Sequence, residues 1–206
     1  MKIFSWNVRG LGGLEKRKEV KKLVGEQNPF ILCIQETKLG VCDDSLCASL
    51  WGTSPHGYSF RPSAGASGGL LVLWDSVEVE VWSSVSFDHV LRASLSGRIQ
   101  QLGGQKLCLC GDFNVVRCED ERRSVRQDFR SFDHCPFNQF IDDDGLIDLS
   151  LFGRKWYKGD GLSMSRIDRF LLSDDWCLVW PNCLQTAQLR GLSDHCPLLL
   201  SVDEED

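Results

Sequence analysis

The chain has 206 residues, 42% hydrophobic and 25% charged, enough to bury a sizeable core in one domain. No apolar run approaches the roughly 20 residues that cross a bilayer, and Met1–Asn7 reads as a β-strand rather than a secretory signal, so a soluble intracellular protein with no membrane partner is expected. A net charge of −6 argues against a domain that grips nucleic acid tightly by itself, because such domains replace phosphate counterions with Lys and Arg.

In chain order, Lys2–Val8 is a predicted strand followed by the turn Arg9-Gly10-Leu11-Gly12-Gly13. Leu14–Gln27 places Val20, Leu23 and Val24 at helical spacing, with Lys16, Arg17, Lys18, Lys21 and Lys22 on the other side, which reads as a solvated basic face. Asn28-Pro29 stops that helix, and Phe30–Gln35 is an apolar run of strand length ending at Glu36. Asp43–Trp51 is a short helix opened by Asp43 or Asp44. The texture then becomes β-rich, with strand candidates at Gly57–Arg61, Gly69–Trp74, Val77–Val85, His89–Leu95 and Leu107–Cys110. A polar stretch, Arg117–Arg130, precedes a helix around Phe137–Asp143. Further strands are expected at Ile147–Leu151, Ser165–Leu172, Leu184–Leu189 and Cys196–Val202. With no repeat and no linker, the pattern predicts one domain over residues 1–206, its core within 1–202 and an acidic tail at 203–206. Its fold class is α/β (α+β), a two-layer β-sandwich flanked by helices.

The ten cysteines form no metal-binding spacing, since Cys-x-x-Cys is absent. Leu107-Cys108-Leu109-Cys110 is apolar on both faces, as a fully buried strand would be, so reduced, buried thiols are expected.

Polar residues gather where apolar strands end. These are Asn7 in Trp6-Asn7-Val8-Arg9-Gly10, Glu36 in Gln35-Glu36-Thr37, Asp112 and Asn114 in Gly111-Asp112-Phe113-Asn114, Asp168 in Ser165-Arg166-Ile167-Asp168-Arg169-Phe170, and Asp194 and His195 in Ser193-Asp194-His195-Cys196-Pro197. One such residue is ordinarily a strand cap. Five groups at the ends of strands of one rigid sheet system point to a site. Asp168 has a bland alternative, a surface ion pair with Arg166 or Arg169. His56, His89 and His134 have no motif around them and read as structural or exposed. The aromatics read as packing rather than as a base-stacking platform.

Taken in this order, the five motifs resemble the exonuclease–endonuclease–phosphatase superfamily, from Met1 to about Val202. That superfamily includes abasic-site repair endonucleases, deoxyribonuclease I, inositol-polyphosphate phosphatases and the endonuclease domains of non-LTR retrotransposons. Leu107–Val116, Ser165–Ser173 and Leu192–Leu198 look like plant retroelement copies in particular. The resemblance implies a deoxyribonuclease I-like fold and Mg²⁺- or Mn²⁺-dependent nicking of DNA, with DNA as a transient, metal-mediated partner and no obligate protein partner. It also implies a nuclear location, which no signal in the sequence indicates. Glu36 would be the main metal ligand, supported by Asn7 and Asp194. Asp112 would orient or deprotonate the attacking water, with Asn114 fixing its position. His195 would contact the scissile phosphate, with its tautomer held by Asp168, and Asn7 and Asn114 would also touch substrate. Either Asp112 or His195 would be the base.

The chain departs from the family between Leu95 and Leu107, where a strand ending in tyrosine–x–proline and most of a helix are expected. Only Gly97–Lys106 lies there, and neither tyrosine, Tyr58 or Tyr157, has that context. One central strand and its helix are therefore expected to be missing, with Arg98–Leu102 as the helix's tail. A smaller loss is expected at Gly153–Trp156. A catalytically inert remnant and a phosphatase of the same superfamily are the competing readings. The Ser165–Phe170 motif disfavours the phosphatase.

Overall fold

The computed structural model describes residues 1–65, 67–81, 92–124, 134–153, 158–159 and 163–202. In chain order the elements are β1 (Lys2–Asn7), α1 (Leu14–Gln27), β2 (Ile31–Gln35), α2 (Asp44–Trp51), β3 (His56–Ala64), β4 (Ser67–Asp75), α3 (Arg92–Gln101) and β5 (Cys108–Asp112). After a 3₁₀ turn at Glu119–Glu121 come β6 (Arg122–Ser124), α4 (Cys135–Asp143), β7 (Leu146–Asp148), β8 (Leu151–Phe152), β9 (Lys158–Gly159) and β10 (Ser163–Ser165). The chain finishes with β11 (Asp168–Ser173), α5 (Asp174–Val179), β12 (Cys183–Ala187) and β13 (Leu198–Val202).

Among the described residues, one sheet has seven strands in the order β3-β4-β2-β1-β13-β12-β8, and two sheets have three strands, β5-β11-β7 and β6-β10-β9. The period-2 alternation of the strands decides what each layer packs against. Along β1, Phe4 and Trp6 turn to one face and meet Val20 and Val24 of α1 and Leu46, Cys47 and Leu50 of α2. Ile3 turns to the other face, where Leu198 and Leu200 of β13 meet Phe170 and Leu172 of β11 and Cys108 and Cys110 of β5. The far face of the β5-β11-β7 sheet carries Leu109 and Leu171, which pack on Ile99 of α3 and Phe140 and Ile141 of α4. The result is the expected two-layer sandwich of sheets with helices on both outer faces. Cys108 and Cys110 belong to its inner core.

Local signals account for the helix ends. Asn28 adopts φ 50° and its N–H bonds Val24 O at 2.8 Å, closing α1 with a left-handed cap. The Asp43 side chain accepts from Leu46 N at 2.8 Å, which makes Asp43 the N-cap of α2.

Several expectations need correction. Residues 92–95 of the expected strand His89–Leu95 open α3, where Leu95 and Ile99 at i,i+4 form the apolar stripe. His89 lies outside the described residues. Val77–Val81 is turn and irregular chain rather than strand, and the rest of that segment is not described. The single strand expected at Ile147–Leu151 is two short ones, β7 and β8. The strand expected at Ser165–Leu172 is likewise split between β10 and β11. Tyr157, Arg154–Trp156 and the tail 203–206 also fall outside the description. No helix among the described residues is long and apolar enough to cross a membrane.

Arg166 and Arg169 are engaged away from the strand ends that gather the motifs. Arg169, fully buried, donates to Asp148 Oδ2 at 2.6 Å and to Glu121 Oε1 at 3.1 Å, and lies over the Phe137 ring. Arg166 bonds Glu121 Oε1 at 2.8 Å and Asp148 Oδ1 at 2.7 Å. Adjacent residues of a strand face opposite sides, so Arg169 points to the helix side of β11 while Asp168 points to the sandwich side.

Burial opposes ionisation of Glu121, but the hydrogen bonds from Arg169 and Arg117 N–H outweigh it and hold the carboxyl below its usual 4.5. A carboxyl lowered by folding stabilises the fold above its unfolded value, and that stability is lost as pH falls through the folded value. Glu121→Gln is expected to cost ~3–5 kcal/mol at neutral pH, because it leaves buried guanidinium uncompensated. It should also flatten the loss of stability below pH 4.5. Urea midpoints measured from pH 7 to pH 3 check this; parallel pH profiles for the two proteins would contradict it.

Candidate active site

Strand register brings the polar motifs to one end of the sandwich. In the seven-stranded sheet, Asn7 ends β1 opposite Gln35, the last residue of β2, and β13 starts beside them with Leu198 opposite Ser5. Glu36 therefore leaves β2 beside Asn7, and Asp194 and His195 arrive just ahead of β13. In the other sheet, Asp112 and Asp168 are direct cross-strand partners. Four non-glycine residues at these strand ends hold positive φ: Arg9 at 54°, Glu36 at 52°, Lys38 at 55° and Asn114 at 56°. Strained backbone of this kind persists where the surroundings fix it, and it concentrates at functional sites.

Hydrogen bonds tie the two sheets together here. Asn7, buried, donates through Nδ2 to Glu36 Oε1 and to Asp112 Oδ2, each at 3.2 Å, while its Oδ1 accepts from Arg9 N at 3.2 Å. Gln35 donates to Ser5 Oγ at 3.0 Å and accepts from Asp112 N at 3.2 Å. This bridge explains the glycine of the Gly-Asp-Phe-Asn motif. At φ 146°, a Cβ on Gly111 would come within 2.8 Å of the Gln35 amide.

His195 is fully buried. Its N–H donates to Ser193 Oγ at 3.2 Å, Ser193 Oγ donates to Asn7 O at 2.7 Å, and Trp6 Nε1 donates to His195 O at 3.1 Å. The ring's Nδ1 lies 2.7 Å from Asp168 Oδ2. With the carboxylate as acceptor, Nδ1 carries a proton and donates it to Asp168. Nε2 is 3.7 Å from Asp112 Oδ2 and 3.8 Å from Asp194 Oδ1, with no hydrogen-bond partner of its own. A buried ring nitrogen is thus presented to a ring of carboxylates.

Asn7, Glu36, Asp112, Asp168, Asp194 and His195 are therefore together. Asn114 is exposed, and its N–H bonds Asp112 Oδ1 at 2.8 Å. Sequence reasoning gave no role to Arg9, Gln35 or Ser193, although all three lie inside the motifs. Glu19 of α1 had no signal at all, yet its carboxylate accepts from Leu192 N at 3.1 and 3.2 Å and sits against Gly191 where any Cβ would be, holding the loop that carries Asp194 and His195. Lys16 departs from the expected solvated basic face. Its ammonium is 5.4 Å from the centre of the Trp6 ring, and burial pushes its pKa down against the opposing pull of Glu19 and Asp194.

The donor set suits a hard divalent cation, which takes oxygen ligands. Ligand atoms of Asp112, Asp168 and His195 lie within 4.8 Å of one another. Asp168 and His195 Nδ1 are engaged with each other, so the carboxylates that could hold a cation are Glu36, Asp112 and Asp194, while the Asn7 amide turns its Nδ2 toward Glu36 and Asp112 and its Oδ1 toward Arg9 N. The orphaned Nε2 faces the same space.

A sandwich of this build with this ring of carboxylates and one buried imidazole is a phosphoesterase architecture. The chain belongs to the Endonuclease/Exonuclease/phosphatase family, whose model matches residues 4–195. The fold is similar to that of AP endonuclease LMAP from Leishmania major (TM-score 0.70, 17% identity, 97% of this chain and 86% of that one). It is also similar to 3′ phosphatase NExo from Neisseria bound to product DNA hairpin (TM-score 0.72, 18% identity, 98% and 99%). A third similar structure is the endonuclease domain of TRAS1, a telomere-specific non-LTR retrotransposon (TM-score 0.64, 13% identity, 100% and 99%). No curated protein sequence matches significantly.

Gly111→Ala is expected to destabilise the protein by ~1–3 kcal/mol, since both the positive φ and the Gln35 bridge resist a side chain. Chemical denaturation checks this; an unchanged midpoint would mean that the bridge does not constrain the strand end.

Proposed function

We propose that the protein is a divalent-metal-dependent phosphodiesterase that nicks DNA in the manner of a retroelement endonuclease. The observation that carries this reading is the pairing of His195 with Asp168 at 2.7 Å, which leaves an unpartnered Nε2 beside Asp112 and Asp194.

Glu36, with Asn7 and Asp194 beside it, would hold Mg²⁺ or Mn²⁺. When bound, the cation supplies charge neutralisation at the phosphoryl and leaving oxygens. Asp112 takes the proton of the attacking water, its carboxylate fixed by Asn7 Nδ2 and Asn114 N–H. His195 faces the scissile phosphate through Nε2, and Asp168 fixes the orientation of the ring through Nδ1. Asn7 and Asn114 contact the substrate from the ends of β1 and β5. DNA as substrate is supported by the similar Neisseria phosphatase with its product DNA hairpin and by the similar retrotransposon endonuclease domain. The net charge of −6 agrees with brief, cation-mediated contact rather than tight binding. A DNA-nicking role would place the protein in the nucleus.

A second reading, an inert descendant of such an enzyme, is favoured by one observation. Among the described residues, β5 pairs only with β11, which leaves the edge where the missing tyrosine strand is expected.

Conversion of supercoiled plasmid to open circles tests both readings. Nicking is expected with Mg²⁺ or Mn²⁺ and is expected to disappear in EDTA. His195→Ala and Glu36→Ala should each abolish metal-dependent turnover. Equal background nicking by all three proteins, each folded by circular dichroism, would instead establish the inert descendant.

A further inference from the structure

The strand-end site contains a cation of its own. Arg9 Nε donates to Asp194 Oδ1 at 3.1 Å, and Nη1 lies 3.8 Å from Glu36 Oε2. These carboxylates come from different loops, one leaving β2 and the other approaching β13, and Arg9 comes from a third. The placement is built into the backbone. Asn7 Oδ1 accepts the Arg9 N–H at 3.2 Å in an Asx turn, and Arg9 holds φ 54°, a conformation that favours glycine and disfavours side chains. Gly10 follows at φ 117°. The arginine thus holds a glycine-favouring conformation with its head between two carboxylates. That side chain is 40% exposed, so the guanidinium stands at the mouth of the site with room to turn outward.

We propose that Arg9 is a tethered counter-cation. It pairs with Glu36 and Asp194, and it would turn to the non-bridging oxygens of the DNA phosphate when those carboxylates hold a divalent cation. This rests on the reading of Glu36 and Asp194 as metal ligands. The electrostatics fix the sign of the effect. Guanidinium and metal compete for the same carboxylates and repel each other, so Arg9 opposes metal binding in the free protein. A phosphate brings negative charge that satisfies both cations, and the guanidinium fork matches its oxygens in two parallel hydrogen bonds. Arg9 therefore weakens metal binding before substrate arrives and strengthens substrate binding afterwards.

Calorimetric Mn²⁺ binding to the DNA-free protein, with Glu36→Gln beside the Arg9 variants, tests this apart from catalysis. Arg9→Met is expected to tighten Mn²⁺ binding by roughly three- to tenfold, the effect of releasing two part-exposed ion pairs. Arg9→Lys should fall between, keeping the charge without the fork. Lys22→Met, a matched loss of charge at the Lys22–Glu26 pair on α1, should leave affinity unchanged. At saturating Mn²⁺, Arg9→Met should raise KM for plasmid by about tenfold, as loss of a charge-assisted phosphate contact does. Equal Mn²⁺ affinity in the parent and Arg9→Met, or the same gain in Lys22→Met, overturns the proposal. If Glu36→Gln still abolishes Mn²⁺ binding in that event, the metal-site reading stands without it. Absence of Mn²⁺ binding in every protein overturns both.

Discussion

Asp112 and Asp168 stand opposite each other across the β5–β11 ladder with their side chains almost entirely out of water. Like charges in that arrangement repel, and neither carboxylate has solvent to screen it. The imidazole of His195 donates to Asp168 at 2.7 Å through Nδ1, and the Asn7 amide donates to Asp112 at 3.2 Å. A buried histidine in turn needs its loop anchored on several sides, and Ser193, Trp6 and Glu19 each hold part of it. Most of the fixed polar groups at this end of the sandwich thus gather around one cross-strand pair of carboxylates.

The same strand carries a second polar cluster on its other face. Arg169, one residue beyond Asp168, joins Glu121 and Asp148 beneath the α3–α4 layer. The two clusters lie on opposite sides of one backbone. The Asp-Arg pair of the motif is two neighbours with separate tasks. Asp168 serves the strand-end site, and Arg169 ties the segment around Glu121 to the sheet.

Much of this was legible in the sequence because it is local. The α1 bounds followed from the spacing of Val20 and Val24 and from Asn28-Pro29, and the α2 start from Asp43. The sandwich followed from strands throughout with a few helices between them, and the gathering of Asn7, Glu36, Asp112, Asp168, Asp194 and His195 from polar motifs at the ends of strands. What stayed hidden depends on distant partners or on weak local pattern. Helix α3 shows only Leu95 and Ile99 as a stripe, too little to separate it from a strand. The partners of Arg169 lie 21 and 48 positions away, at Asp148 and Glu121. Lys16 belongs to a basic helical face by sequence, and only the docking of α1 on Trp6 removes it from water. Arg9 was in plain view within its motif, but its contacts with Glu36 and Asp194 exist only once three loops meet.

The bonds from Asn7 to Asp112, from Gln35 to Asp112 N–H and from His195 to Asp168 all run from one sheet to the other. The site is therefore a seam, and its geometry is a readout of how the two layers are seated. By linkage, whatever grips it adds RT ln(1 + [L]/Kd) to the free energy that keeps the layers docked. A ligand at 100 times its Kd would contribute about 2.7 kcal/mol, a sizeable share of the 5–15 kcal/mol that holds an ordinary domain together. Occupancy of a few atoms at one end thus acts as a clasp on the whole sandwich.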